Sequence, residues 1–349
     1  MEIAPELIQV FGWSALTFIL TLLLTPVYLK VARKLHLGKQ IRENAMSGEK
    51  ALIFNEMHAK KTGTPTMGGI IMWGSVLLII LFSRFLALIG IMEHSLLQRG
   101  LVYLPLFTLV AVGLLGAVDD WFNIKGVGAH KGIKARPKMF FLLLFALVGA
   151  WWFYYKLGFS HIHIPRIGDF QIGLWYIPLF MLVIVATANA VNITDGLDGL
   201  AGGLLILAFA AFGVIAFVKG QLMLAIFCGL MIGSLMAFLW HNVPPALYYM
   251  GDTGSLAFGA TLGVIAMMTD SMVVLIIVGA MFVIETLSVI IQLTSKKFLK
   301  RKVFLVAPLH HHYEKKGWGE AKITMRFWIL GAMCGIIGLI VGLLGMGIN

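Results

Sequence analysis

The chain has 349 residues, 60% of them hydrophobic and 12% charged, with a formal net charge of +11. A mean hydropathy of +0.93 excludes an ordinary water-soluble globular protein, whose charged fraction runs to about a quarter. The basic residues are concentrated in gaps between apolar runs, a pattern that records membrane topology rather than nucleic-acid binding.

Hydropathy divides the chain into about ten stretches near the roughly 20 residues that cross a bilayer. They fall at 10–30, 68–90, 101–118, 138–156, 174–190, 200–218, 222–240, 254–269, 271–294 and 325–347. In lipid each segment must satisfy its own backbone hydrogen bonds, so these stretches are expected to be helices. The expected fold is an all-α polytopic membrane protein, one domain over residues 1–349. Glu2 and Glu6 precede the first stretch and no small-residue cleavage site follows it, so it reads as a retained span. Cys228 and Cys334 both lie in apolar runs, which implies neither a disulfide framework nor a thiolate metal site.

Alternate loops, at 31–67, 119–137, 191–199, 241–253 and 295–324, carry with their flanks every Lys and Arg except Arg84, Arg99, Lys156, Arg166 and Lys219. The positive-inside rule then puts these five loops in the cytoplasm and both termini on the periplasmic side. Asp119, Asp120, Asp195, Asp198 and Asp252 all fall in the same five loops. Carboxylates beside hydrocarbon are costly and by default mark a functional site.

The first of these loops ends in His58-Ala-Lys-Lys-Thr-Gly-Thr-Pro-Thr-Met-Gly-Gly69. Pro65 reads as the first turn of the second helix, and Lys60 or Lys61 with exposed helix amides could meet an anion. A capped helix start with snorkelling lysines is the plainer alternative. In the second loop the adjacent carboxylates Asp119 and Asp120 repel, so they need a metal, a cation or a shared proton. Glycines 126, 128 and 132 keep that loop pliant.

The third loop, Asn189-Ala-Val-Asn192-Ile-Thr-Asp195-Gly-Leu-Asp198-Gly, sets amides and carboxylates at three-residue steps, a spacing that shares one helix face. Such oxygen-rich groups suit Mg²⁺ or a nucleoside. The fourth runs from His241-Asn242 to Tyr248-Tyr249-Met-Gly-Asp252-Thr-Gly-Ser255. There Thr253 and Ser255 could cap the next helix, Asp252 could itself be an N-cap, and the tyrosines offer a stacking surface. The fifth contains His310-His311-His312-Tyr313-Glu314. Three successive histidines cannot all point to one place, so phosphate contacts are favoured over a zinc site. Glu285, buried in the ninth span before Gln292, reads as a polar contact between helices.

The strings KTGTPTMGG, VDDW, NAVNITDGLDGLAGG, MGDTGSLAFG, FVIETLSVIIQ and APLHHHYEKKGW occur in order from His58 to about Trp328. Together they resemble the polyprenyl-phosphate N-acetylhexosamine-1-phosphate transferase superfamily. The triple histidine followed by Tyr313-Glu314 resembles the branch that handles phospho-MurNAc-pentapeptide. This resemblance implies a Mg²⁺-dependent enzyme of the bacterial inner membrane, with ten helices and a homodimeric state. It would move phospho-MurNAc-pentapeptide from UDP-MurNAc-pentapeptide to undecaprenyl phosphate, giving lipid I and UMP at the cytoplasmic face.

The resemblance also implies roles. Asp119 and Asp120 match the acidic pair, Asp252 the magnesium ligand, Lys131 the lysine of the following loop, and His310, His311 and His312 the phosphate-facing motif. Asn189, Asn192, Asp195 and Asp198 match the nucleotide loop, Lys61 and Tyr249 fall where uridine is contacted, and Asn242 and Gln292 join the substrate-binding set. Tyr249 replaces a more usual phenylalanine, and Thr62 stands where a second basic residue is frequent. A UDP-GlcNAc-dependent transferase is the nearest alternative. An ion-coupled transporter is the alternative from another class, disfavoured because its polar groups would lie near the midplane of repeated, broken helices.

Overall fold

The computed structural model describes residues 3–38, 63–97, 100–126 and 135–345, and it is predominantly helical. In chain order the helices are α1 (Ile3–Lys34), α2 (Gly69–Leu88), α3 (Tyr103–Lys125), α4 (Ala135–Trp151), α5 (Tyr176–Thr194), α6 (Leu200–Val218) and α7 (Leu222–Asn242). They continue with α8 (Gly251–Met268), α9 (Met272–Val278), α10 (Ala280–Thr294), the short α11 (Leu309–Lys315) and α12 (Glu320–Leu344). Each of the ten expected stretches contains helix among its described residues, that at 271–294 being divided between α9 and α10.

Among the described residues, 8 helices are long and apolar enough to cross a membrane, and α9 with α10 makes a ninth if that pair, bent by 80°, counts as one span. Large apolar side chains such as Phe11, Phe140, Phe141, Ile329 and Ile336 are exposed along α1, α4 and α12. So much outward apolar surface is untenable in water and is what lipid-facing helices require. The protein is a multi-pass membrane protein.

The hub is α8. Every residue from Thr253 to Met268 is buried, with α3 and α5 packed along it and α2 and α6 completing the surround. Small residues permit this closeness. A Cβ on Gly116 of α3 would lie 2.3 Å from the Asp252 carbonyl oxygen, and one on Gly259 would lie 2.7 Å from the Thr187 carbonyl oxygen. Any side chain at Gly116 would separate α3 from the first turn of α8.

Three local features differ from expectation. The second helix begins at Gly69 rather than at Pro65, because Met67 adopts φ 70 and the preceding segment is extended. Pro65 forms a bridge with Gly38, and Thr66 N donates to the Leu37 carbonyl at 2.9 Å. Thr253 and Ser255 do not cap α8; their hydroxyls donate to Asp120 and to the Gly251 carbonyl. A small antiparallel hairpin, β1 (His161–Ile164) and β2 (Gly168–Gln171), interrupts the helical pattern between α4 and α5. Its sequence HIHIPRIGDFQ alternates with the two-residue period of a strand.

The loops sort to two ends. At one, Gly68 N donates to the Tyr249 carbonyl at 2.9 Å, and Ala246 N to Asp198 Oδ2 at 2.9 Å. The other end holds the hairpin and the turns 219–221 and 269–271, where Lys219 Nζ donates to the Thr269 carbonyl at 2.5 Å.

Candidate active site

Three of the five loop aspartates converge at the start of α8. The last turns of α3 deliver Asp120, whose carboxylate accepts from Asp252 N at 3.1 Å, Thr253 N at 3.0 Å and Thr253 Oγ1 at 2.6 Å. A negative charge at unpaired helix N-terminal amides is stabilising. The fit needs glycine at 251, where φ is 68 and a Cβ would sit 2.3 Å from Asp120 Oδ2. Asp120 thus clamps α3 to α8 and is 8% exposed.

The neighbouring Asp119 and Asp252 share one cation. Lys138, in the first turn of α4, places Nζ 3.2 Å from Asp119 Oδ2 and also donates to Asp252 Oδ2. The other Asp252 oxygen accepts from Asn192 Nδ2 at 2.7 Å, and the same amide reaches Ser255 Oγ at 2.8 Å. Four helices, α3, α4, α5 and α8, therefore meet on one carboxylate. Asp119 is almost fully buried at 3% exposure. Asp252 and Lys138 keep 23% and 18% of their side-chain surfaces accessible, so the cluster can be approached from outside.

The donor set suits a hard divalent cation: carboxylate oxygens with an amide oxygen nearby, and no sulfur or imidazole. The ammonium between Asp119 and Asp252 is the stand-in that makes the demand for positive charge visible.

A second wall comes from the segments after α5 and α7. Asp198, buried, accepts from Ala246 N at 2.9 Å, while its own N donates to Glu320 Oε1 at 2.6 Å. Asn242, also buried, accepts from Gly199 N and donates to the Tyr248 carbonyl, both at 2.8 Å. These two side chains brace one loop on the other. Asp195 is half-buried at the end of α5, and Asn189 Nδ2 donates to the Val185 carbonyl at 2.7 Å on its own helix. Burial pushes the Tyr249 phenol above its usual range, reinforced by the charge of Asp198 and opposed by a hydrogen bond with Thr64.

The third wall is the histidine segment, whose three rings each meet a different partner. His310 is fully buried: its N and Nδ1 each lie 3.1 Å from a Glu285 carboxylate oxygen. Its Nε2 has no hydrogen-bond partner and faces Gly196, where a Cβ would be 2.3 Å away. His311 Nδ1 lies 2.5 Å from Glu314 Oε2. His312 Nδ1 accepts from Leu305 N at 3.1 Å, and burial, then Lys316, lowers its pKa. Gln292 accepts from Val303 N and Phe304 N at 3.0 Å and donates to the Phe304 carbonyl at 2.9 Å, bracing the chain ahead of the histidines.

Lys61 and Lys131, with His58, Lys60 and Thr62, lie outside the described residues. Sequence reasoning missed Lys138, one of several cations in its loop, and it missed Glu285 as the partner of His310. An acid inside an apolar span was the available signal for the second; nothing local distinguished the first.

Residues 102–270, from the start of α3 to just past α8, match the family described as glycosyl transferase family 4. The class is thus a membrane-embedded transferase, and the matched residues include Asp119, Asp120, Asn192 and Asp252. A relative from Chloroflexus aurantiacus is 38% identical over 346 residues, 95% of this chain and 89% of its own. One from a Geobacillus species is 39% identical over 327 residues, 93% of this chain and 95% of its own. One from Geobacillus thermodenitrificans is 38% identical over 337 residues, covering 96% and 98%. All three bear the name phospho-N-acetylmuramoyl-pentapeptide-transferase. The chain belongs to this family of enzymes.

Proposed function

We propose that the protein transfers phospho-MurNAc-pentapeptide from UDP-MurNAc-pentapeptide to undecaprenyl phosphate, releasing UMP and forming lipid I, the first membrane step of peptidoglycan synthesis. The observation that carries this reading is the Asp119–Lys138–Asp252–Asn192 cluster, two carboxylates around a single ammonium at the loop end of a helical membrane bundle. The site faces the cytoplasm of the bacterial inner membrane in this reading, on the strength of the basic loops. The resemblance adds a homodimer.

Two anions must meet, and their repulsion is the first barrier. Asp252, with Asp119 beside it, would hold Mg²⁺, which when bound neutralises phosphate charge and orients the oxygens. Lys138, already paired with both carboxylates, swings its ammonium toward the phosphates when they arrive, joined by Lys131. His310 is held by Glu285 so that Nε2 is the ring nitrogen left for a phosphate, and His311 and His312 flank it. Asp120 fixes the first turn of α8 and through it the position of Asp252. Asn189, Asp195, Tyr249 and Lys61 are assigned to the nucleotide, with Asp198, Asn242 and Gln292 shaping their loops.

In the reaction, an oxygen of the lipid phosphate forms a bond to the phosphorus that carries the sugar. The bond from that phosphorus to the bridging oxygen breaks, and UMP departs with the electron pair. The lipid phosphate is already ionised at neutral pH, so a strong base is unnecessary and direct attack is preferred to an aspartyl intermediate. Positioning and charge stabilisation then supply most of the acceleration.

UMP release from UDP-MurNAc-pentapeptide is the test, with UDP-GlcNAc as the competing donor and with or without Mg²⁺. Asp252→Asn is expected to lower turnover by about 100-fold or more. Unchanged turnover in that variant, or equal use of UDP-GlcNAc, would sink the assignment. A phospho-sugar adduct trapped on Asp119 or Asp252 without the lipid would overturn direct attack.

A further inference from the structure

We propose a second metal site, for a zinc-type divalent ion, at the end of the molecule opposite the carboxylate cluster, with His161, Asp169 and Asp270 as ligands. Nothing in the transfer chemistry uses these residues.

The hairpin creates the arrangement. Alternate residues of a strand share a face, so His161 and His163 project together from β1. The register sets Asp169 of β2 directly opposite His163, on that same face. Asp270 arrives from a different part of the chain, the turn between α8 and α9, and its Oδ2 lies 3.2 Å from His161 Nε2. One donor atom from each of His161, Asp169 and Asp270 lies within 4.8 Å of the other two. Around tetrahedral zinc, with bonds of about 2.0–2.2 Å, neighbouring ligand atoms are roughly 3.4 Å apart. The His161–Asp270 pair already has that spacing, and Asp169 is an exposed side chain able to close the remainder by rotation.

Two features complete a site rather than a chance ion pair. His163 Nδ1 lies 2.7 Å from Asp169 Oδ1, an orienting contact of the kind that metal-binding carboxylates receive. A shallow cleft, lined in part by His161, Tyr176, Met267, Asp270 and Met272, opens beside the pair. It leaves the pair open to an ion arriving from solvent. Imidazole in the donor set favours zinc, cobalt or nickel over magnesium and calcium, which prefer oxygen alone. The two ends of α8 would thus hold different ions.

An ion here would tie the hairpin to the C-terminal end of α8. Lys219, from the turn after α6, donates to the Thr269 carbonyl and presents its charge to Asp270 and Asp169. It is the competitor that a metal must displace, and this gives a test that damage to the fold cannot mimic.

Full-length protein in detergent, stripped by chelator and kept in excess Mg²⁺, is titrated with Co²⁺ and followed by its visible absorption. The expected result is one equivalent per chain with bands of tetrahedral intensity, lost in His161→Ala and Asp270→Asn. His163→Ala should weaken binding by about 10- to 100-fold. Lys219→Met should tighten it, while thermal unfolding in chelator tracks the integrity of each variant. The proposal is overturned if the wild type gives no such bands, if His161→Ala and Asp270→Asn bind as the wild type does, or if Lys219→Met fails to tighten binding.

Discussion

Replacing Lys138 with methionine preserves the length and apolar stem of the side chain but leaves Asp119 and Asp252 with no cation between them. At the 3.2 Å separation from Asp119, with an effective dielectric of about 20, the attraction is about 5 kcal/mol. Desolvation offsets part of this, and removing one partner of a buried pair costs roughly 3–5 kcal/mol. Lys138 and Asp252 keep 18% and 23% of their side-chain surfaces accessible, so the lower figure, about 3 kcal/mol, is the appropriate one. The variant should therefore unfold at a lower temperature than the wild type in chelator. Magnesium should then repair the loss, since an ion at a hundredfold excess over its Kd stabilises by about 2.7 kcal/mol and no longer competes with an ammonium. Unfolding followed by tryptophan fluorescence in detergent, with and without Mg²⁺, measures both quantities. Equal stability of variant and wild type in chelator would refute the reasoning. So would a magnesium-induced shift of the same size in both proteins.

Three further outcomes follow from the same geometry. Glu285→Gln removes the carboxylate that holds His310 while keeping the volume, and kcat for UMP release should fall by about 100-fold with little change in KM; a change confined to KM would remove His310 from the reacting end. Gly116→Ala drives a Cβ to 2.3 Å from the Asp252 carbonyl and should cost about 1–3 kcal/mol, together with activity; a fully active, equally stable variant would refute the close packing of α3 on α8. The third concerns His312, whose pKa is lowered in the folded protein by burial and then by Lys316. The folded state therefore prefers the neutral ring, so its contribution is complete above the ordinary value of 6.5 and is lost as the pH falls through that value toward the folded pKa. Unfolding temperatures of the wild type and His312→Gln should converge as the pH drops from 7.5 to about 5.5, and a constant difference between them would contradict the sign.

The parts of this architecture written locally were legible in the sequence. Apolar runs gave the ten helical positions, and the confinement of lysine and arginine to alternate loops grouped the five aspartates at one end. The grouping of Asp119, Asp120 and Asp252 followed from motif strings, but their division did not. Asp120 is a clamp because Thr253, 133 positions later, supplies its donors. Lys138 pairs with Asp252 from 114 positions away, and no local pattern distinguishes it from Lys134 or Arg136. The bend between α9 and α10 falls at Gly279, a weak helix former in a run without proline, but a lone glycine does not foretell an 80° turn. The hairpin was missed: its short alternation stood among much stronger helical signals.

The complete enclosure of α8 has a consequence for how the protein is made. At 18 residues, with Asp252 in its first turn, α8 is not one of the 8 helices whose own length and apolarity suffice for crossing. The carboxylate of Asp252 is costly beside hydrocarbon, and α3 and α5 supply the protein surface that α8 lies against in place of lipid. A chain stalled before α8 carries Asp119, Asp120 and Asn192 but not Asp252, and so holds no assembled carboxylate cluster.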